Sequence, residues 1–100
     1  MENQKREALI KLYDIYNQLL TDKQRLYFEE YYYNDLSLSE ISENYEISRN
    51  AVFDQLNKVE KLLYSYEEKL HLNEKYDKLF KVTKDKDILN KIENILWGDD

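Results

Sequence analysis

The chain contains no proline and a single glycine, Gly98, in one hundred residues. Almost nothing in it can break a helix, and the turn punctuation that strands and hairpins need is missing. An all-α fold follows. The apolar share is 42% and the charged share 36%. That hydrophobicity is too high for general disorder, and the charge suits solvated helix faces. A chain of this length buries roughly 60–70% of its unfolded surface, enough for one modest core.

Apolar spacing lays out the helices. Leu9, Leu12, Ile15 or Tyr16, and Leu19 recur at three- and four-residue steps and place a first helix from about Lys5 to Leu20. Thr21-Asp22-Lys23-Gln24 is a capping box: Thr21 accepts from the Gln24 backbone N–H, and Gln24 reaches back. A second helix then runs to about Asn34, with Leu26, Tyr27, Phe28, Tyr31 and Tyr32 available for burial. Asn34-Asp35 supplies turn chemistry. Ser37-Leu38-Ser39-Glu40 is a second capping box and opens a short helix with Leu38, Ile41 and Tyr45 inward. Ser48 caps a fourth helix.

Along that fourth helix Val52, Leu56, Val59, Leu63, Tyr66 and Leu70 alternate steps of four and three, the seam of a helix packed along a partner. The register fails after Leu70, and Leu72, Tyr76, and Leu79 or Phe80 begin a new phase. A break is expected near His71–Asn73, with Asn73 as the new N-cap. Thr83 is then the expected cap of a last helix carrying Ile88, Ile92 and Ile95 on one face, with Leu89 and Leu96 beside them and Gly98 as its stop. The expected organisation is a helical domain over 1–72, with a helix-turn-helix at 38–63, and a C-terminal helical extension over 73–100. The extension packs on the core or on a second subunit.

Residues 40–52 carry the functional signal: a helix, a short turn, and the start of a second helix. This is the layout of a helix-turn-helix, whose second helix can enter a DNA major groove. With Val52, Leu56 and Val59 inward, Arg49, Asn50, Phe53, Asp54, Asn57, Lys58 and Lys61 face out. Arg49 suits guanine and Asn50 adenine, while Asn57, Lys58 and Lys61 would lie along phosphates. The charge opposes that use. The formal net charge is −6, and 36–63 sets Glu40, Glu43, Glu46, Asp54 and Glu60 against Arg49, Lys58 and Lys61. Three phosphate contacts lose only ~1.6 decades of affinity between 50 and 200 mM salt, a weak electrostatic grip. The charge favours reading the same motif as a packing unit or a protein-binding surface, with Phe53 as an apolar anchor.

Ten tyrosines form the second oddity. Tyr31-Tyr32-Tyr33 cannot all point inward from one helix, so at least one ring is expected at the surface. Tyrosine serves protein interfaces, and rings can stack on single-stranded bases, but no basic groove accompanies these. From Lys69 to Lys91 seven lysines face four acids, the pattern of a solvated face with charge pairs or of an RNA contact. His71 is the only histidine and cysteine is absent, so no metal site is indicated. Glu29/Glu30 and Glu67/Glu68 are adjacent in sequence and diverge on a helix, unlike an acid/base couple. No catalysis and no cofactor are expected. The N-terminus lacks a signal-peptide apolar region, and no apolar run reaches the ~20 residues of a membrane span. The expectation is a soluble cytoplasmic protein.

The segments Leu19-Leu20-Thr21-Asp22-Lys23-Gln24-Arg25, Tyr31 through Ile41, and Ile47-Ser48-Arg49-Asn50-Ala51-Val52-Phe53-Asp54 strongly resemble the bacterial YlxM family of helix-turn-helix proteins. Val59-Glu60-Lys61-Leu62-Leu63 and Tyr66 through Leu72 continue the resemblance, which spans roughly Leu9 to Phe80. The helix-turn-helix part is also similar, less specifically, to region 4 of bacterial sigma factors. The resemblance implies an all-helical, sigma-region-4-like fold without catalytic residues. It also implies a role in the signal recognition particle pathway, with the particle's GTPase or its RNA as partner. A DNA-binding regulatory role is the alternative the family suggests; reading DNA sequence-specifically this way requires a symmetric dimer that presents two recognition helices about 34 Å apart. The dimer interface would come from the 52–70 seam or the Ile88, Ile92, Ile95 stripe. Two residues depart from the sigma-like pattern: Ser42 where a small Ala is common, and Glu46 where the turn commonly has Gly.

Overall fold

The computed structural model describes residues 2–97, with the side chains of 3–96. Among the described residues it is all-α: α1 (Glu2–Tyr16), a 3₁₀ turn (Asn17–Leu19), α2 (Asp22–Tyr32), α3 (Leu38–Tyr45), α4 (Arg49–Leu70), α5 (Leu72–Val82) and α6 (Lys86–Trp97). The chain divides into two compact units, 1–70 and 71–100.

In the first unit α4 packs against α1, α2 and α3. Val52, Val59 and Leu63 on its inner edge have no exposed surface. Leu56 and Tyr66 are half-buried, and Leu70 emerges at the end. The buried part of this seam is therefore interior to one chain, which leaves it no role as a dimer interface. Leu9, Leu12, Tyr13 and Tyr16 of α1 and Tyr27 and Phe28 of α2 supply the rest of the core. The Tyr13 ring stacks on Phe28 with centroids 4.1 Å apart.

The α1 end differs from the simple periodic reading. The tighter 3₁₀ turn advances each residue further around the axis than an α-helix does. Leu20 therefore reaches the core while Leu19, expected inside, is 54% exposed. Arg25 closes this corner by donating to the carbonyls of Asn17 (3.2 Å), which also accepts from Leu20 N–H, and of Leu20 (3.0 Å). On α2 the inner stripe is Gln24, Tyr27 and Phe28. Leu26 lies off that stripe and is exposed, contrary to expectation. The helix also ends two residues before Asn34, and Asp35 takes a left-handed φ of 56°. Of the three consecutive tyrosines, Tyr33 is the exposed one.

In the second unit the break falls at His71, which is itself left-handed (φ 55°, ψ 30°). Asn73 is not the N-cap; it lies inside the first turn of α5. Nor does Thr83 cap α6. Asp85 does, its Oδ1 accepting from the backbone N–H of Asp87 (2.9 Å) and Ile88 (3.4 Å), while Thr83 accepts from Asp85 N–H (3.2 Å). A carboxylate at a helix N-terminus satisfies orphan donors and opposes the positive dipole end, so Asp85 outcompetes the hydroxyl. Tyr76 of α5 donates to Glu93 of α6 at 2.7 Å. On α6 Leu89 is buried, whereas Ile88 and Ile95 of the expected inner stripe are exposed and Ile92 is half-buried. Gly98, read as the stop of this helix, lies outside the described residues.

Candidate binding surface on the helix-turn-helix

Both capping boxes form, and they set where α2 and α3 begin. Gln24 N–H donates to Thr21 Oγ1 at 3.2 Å, and Thr21 N–H donates to Gln24 Oε1 at 2.9 Å. Glu40 N–H donates to Ser37 Oγ at 3.1 Å, and Ser37 N–H donates to Glu40 Oε1 at 3.0 Å. The Ser37 backbone N–H, helped by the hydroxyl, holds the Glu40 carboxyl below its ordinary value. Inside the motif Tyr27, Ile41 and Val52 form a buried cluster, with Leu38, Tyr45, Ile47 and Leu56 packed against it. Residues from α2, α3 and α4 thus meet in one small core that fixes the angle between α3 and α4.

The turn is left-handed at Glu46 (φ 55°, ψ 43°), in the place where glycine has no steric penalty. Ile47 N–H returns to the Ser42 carbonyl at 3.2 Å. The Ser42 hydroxyl donates to the Ile47 carbonyl at 2.5 Å. The two departures from the sigma-like pattern are therefore neighbours in one structural device: Ser42 ties down the turn that Glu46 makes without glycine. Tyr45 Oη, donating to Glu30 at 3.0 Å, anchors the same corner to α2, and that bond raises the tyrosine above its ordinary value.

Ser48 starts α4 by accepting from Ala51 N–H at 3.0 Å. The sequence-derived residues then fall into distinct places. Arg49, Asn50 and Phe53 come together and, with Leu38 of α3, line an open depression of about 280 Å³. Phe53 is 51% exposed, a large ring standing on the surface. Lys58 belongs elsewhere. It lines a groove of about 390 Å³ with Lys23, Tyr27, Ile47, Ala51, Asp54 and Gln55. Asn57, expected outward, is half-buried, and Lys61 is exposed. Lys23 of α2 was missed by the sequence reading, because its nearness to Lys58 depends on how α2 crosses α4. Glu43, Glu46 and Asp54 are all exposed. Among the described residues no cluster of three or more His, Asp or Glu side chains is placed to hold a metal ion. No helix among them is long and apolar enough to cross a membrane.

An α3–turn–α4 unit with its caps, left-handed turn and outward α4 face defines a helix-turn-helix protein. The family model described as "Putative helix-turn-helix protein, YlxM / p13 like" (UPF0122) matches residues 3–97, and the chain belongs to that family. It is 51% identical over 85 residues to a UPF0122 protein of Mycoplasma mycoides, covering 85% of this chain and 70% of that one. It is 52% identical over 71 residues to one from Oceanobacillus iheyensis, covering 71% of this chain and 68% of that one. Over 76 residues it is 51% identical to one from Lactococcus lactis subsp. cremoris, with 76% and 68% covered.

Proposed function

We propose that this chain is a non-catalytic regulatory protein that binds its partner through the exposed start of α4. The partner proposed is the signal recognition particle, through its GTPase or its RNA, as the YlxM resemblance implies. One observation carries the reading: Phe53 is half-exposed over a depression it shares with Leu38, Arg49 and Asn50. A large ring beside an arginine has the make-up of a binding hot spot. Glu43, Glu46 and Asp54, exposed elsewhere on the helix-turn-helix, disfavour a continuous row of phosphates, as duplex DNA would present.

A second reading, a DNA-binding regulator, is favoured by one feature. Arg49 and Asn50 are both exposed in the first turn of α4, where a recognition helix meets base edges. Parallel titrations of labelled duplex DNA and of purified signal recognition particle, across a salt series, separate the two. The first reading expects particle binding that is lost in Phe53→Ala and weakened less in Arg49→Ala. Tight, steeply salt-dependent duplex binding with no particle binding would sink it.

A further inference from the structure

The protein has three arginines, and two are taken up by the fold. Arg6 donates to the Tyr32 carbonyl and to Asp35, and Arg25 to the carbonyls of Asn17 and Leu20 and to Asp22. Arg49, exposed in the first turn of α4, makes no hydrogen bond or ion pair among the described residues. Its planar guanidinium is left to grip a partner's anion with two parallel bonds, a geometry an ammonium does not match. Asn50 beside it adds an amide that can donate.

The depression at this point sets the size and sign of what fits. It is open and holds about 280 Å³, below the roughly 300–1,000 Å³ of sites that enclose a small molecule, so one side chain fills it. Leu38 and Phe53 give it apolar walls, and its lining carries one charge, that of Arg49. A polynucleotide brings a row of phosphates, whereas this site offers one cation on a chain of net charge −6. A single carboxylate beside an apolar contact is the better complement. Phe53 follows Arg49 by four residues, one turn along the same face of α4, a rise of ~6 Å. The complementary surface therefore holds an aliphatic side chain and a carboxylate one helical turn apart.

We propose that the depression between Leu38, Arg49 and Phe53 docks a protein segment of this chemistry. An aliphatic side chain of the partner seats against Leu38 and Phe53, and an Asp or Glu one turn away pairs with the Arg49 guanidinium. The inference rests on the reading of α4 as the binding surface, and it selects the GTPase over the RNA as the component that α4 grips.

Binding of the full chain to the RNA-free GTPase and to the RNA alone, measured separately by fluorescence anisotropy, tests it. The GTPase is expected to bind, and Arg49→Gln to weaken that binding about tenfold or more, the scale of losing a hydrogen bond between charged groups. Lys81→Gln, which removes the same charge from an exposed site on α5, is expected to leave it unchanged. Arg49→Lys supplies a second measurement. Carbodiimide coupling joins an amine to a carboxylate with loss of water, and mass spectrometry is expected to find position 49 linked to an Asp or Glu of the GTPase that has an aliphatic residue one turn away. GTPase binding indifferent to Arg49→Gln, or a complex with no link at position 49, would overturn the proposal. So would binding of the RNA alone, dependent on Phe53, with none of the GTPase; that outcome leaves the reading of the α4 surface standing. A chain that binds neither component removes that reading and this inference with it.

Discussion

The Ser42 hydroxyl donates to the Ile47 carbonyl at 2.5 Å, spanning the one residue of the helix-turn-helix that adopts left-handed backbone, Glu46. A non-glycine residue there costs roughly 1–2 kcal/mol. The hydroxyl bond and the Ile47-to-Ser42 backbone bond offset that cost locally. Glu46→Gly is expected to stabilise the chain by up to ~1 kcal/mol, the backbone relief being reduced by glycine's freer unfolded state. Ser42→Ala is expected to destabilise by about 1 kcal/mol. The two changes share one turn, so urea denaturation of the single and double variants should show non-additivity.

The core of the first unit predicts a contrast on α2. Phe28 is 1% exposed and stacks on Tyr13, whereas Leu26 is 39% exposed. Phe28→Ala is expected to cost about 3–5 kcal/mol, enough to unfold a marginal domain. Leu26→Ala should cost well under 1 kcal/mol. Chemical denaturation of both variants checks the assignment of the inner stripe.

Alkaline stability should bear the mark of the tyrosines. Tyr33 donates to Asp14 at 2.9 Å, and Tyr13 is bonded to Glu29. Burial first, then the bonded carboxylate, raises both phenols above their ordinary value of 10.0. In the unfolded chain these groups lose a proton near pH 10, while in the fold they keep it. Their contribution is therefore complete below about pH 10 and is lost as pH rises toward the raised folded values. Thermal melts from pH 7 to 11.5 should show a falling Tm above about pH 10. Tyr33→Phe should make that fall shallower.

Charge around α4 gives a prediction about partner class. Asp54 is exposed beside the Lys58 groove. If duplex DNA is the partner, Asp54→Asn removes a repulsion and strengthens binding, most visibly at low salt. The proposal that the partner is the signal recognition particle, gripped through Phe53, expects no tight duplex binding from either protein. Fluorescence anisotropy at two salt concentrations measures the difference.

Much of the architecture is legible from local chemistry. Thr21/Gln24 and Ser37/Glu40 form their capping boxes because the partners lie within four residues of one another. Ser48 begins α4 for the same reason. The tyrosine and carboxylate surpluses, by contrast, gave no hint of their connection. Tyr13, Tyr16, Tyr33, Tyr45 and Tyr76 each donate to a carboxylate, those of Glu29, Glu67, Asp14, Glu30 and Glu93. The separations run from 15 to 51 residues, so no window along the chain could display the pairing.

The sequence by itself determined that this protein is helical, where most of its helices start, and that 40–52 makes a helix-turn-helix, because these depend on short-range periodicity and capping. Tertiary structure decided the rest. It put Leu20 inside and Leu19 outside, and left Ile88 and Ile95 exposed while burying Leu89. It brought Lys23 beside Lys58 and gathered Leu38, Arg49, Asn50 and Phe53 around one depression. Each of these outcomes depends on how one helix meets its neighbours. Such choices are set by packing and hydrogen bonding in three dimensions, which residue spacing along a single helix does not encode.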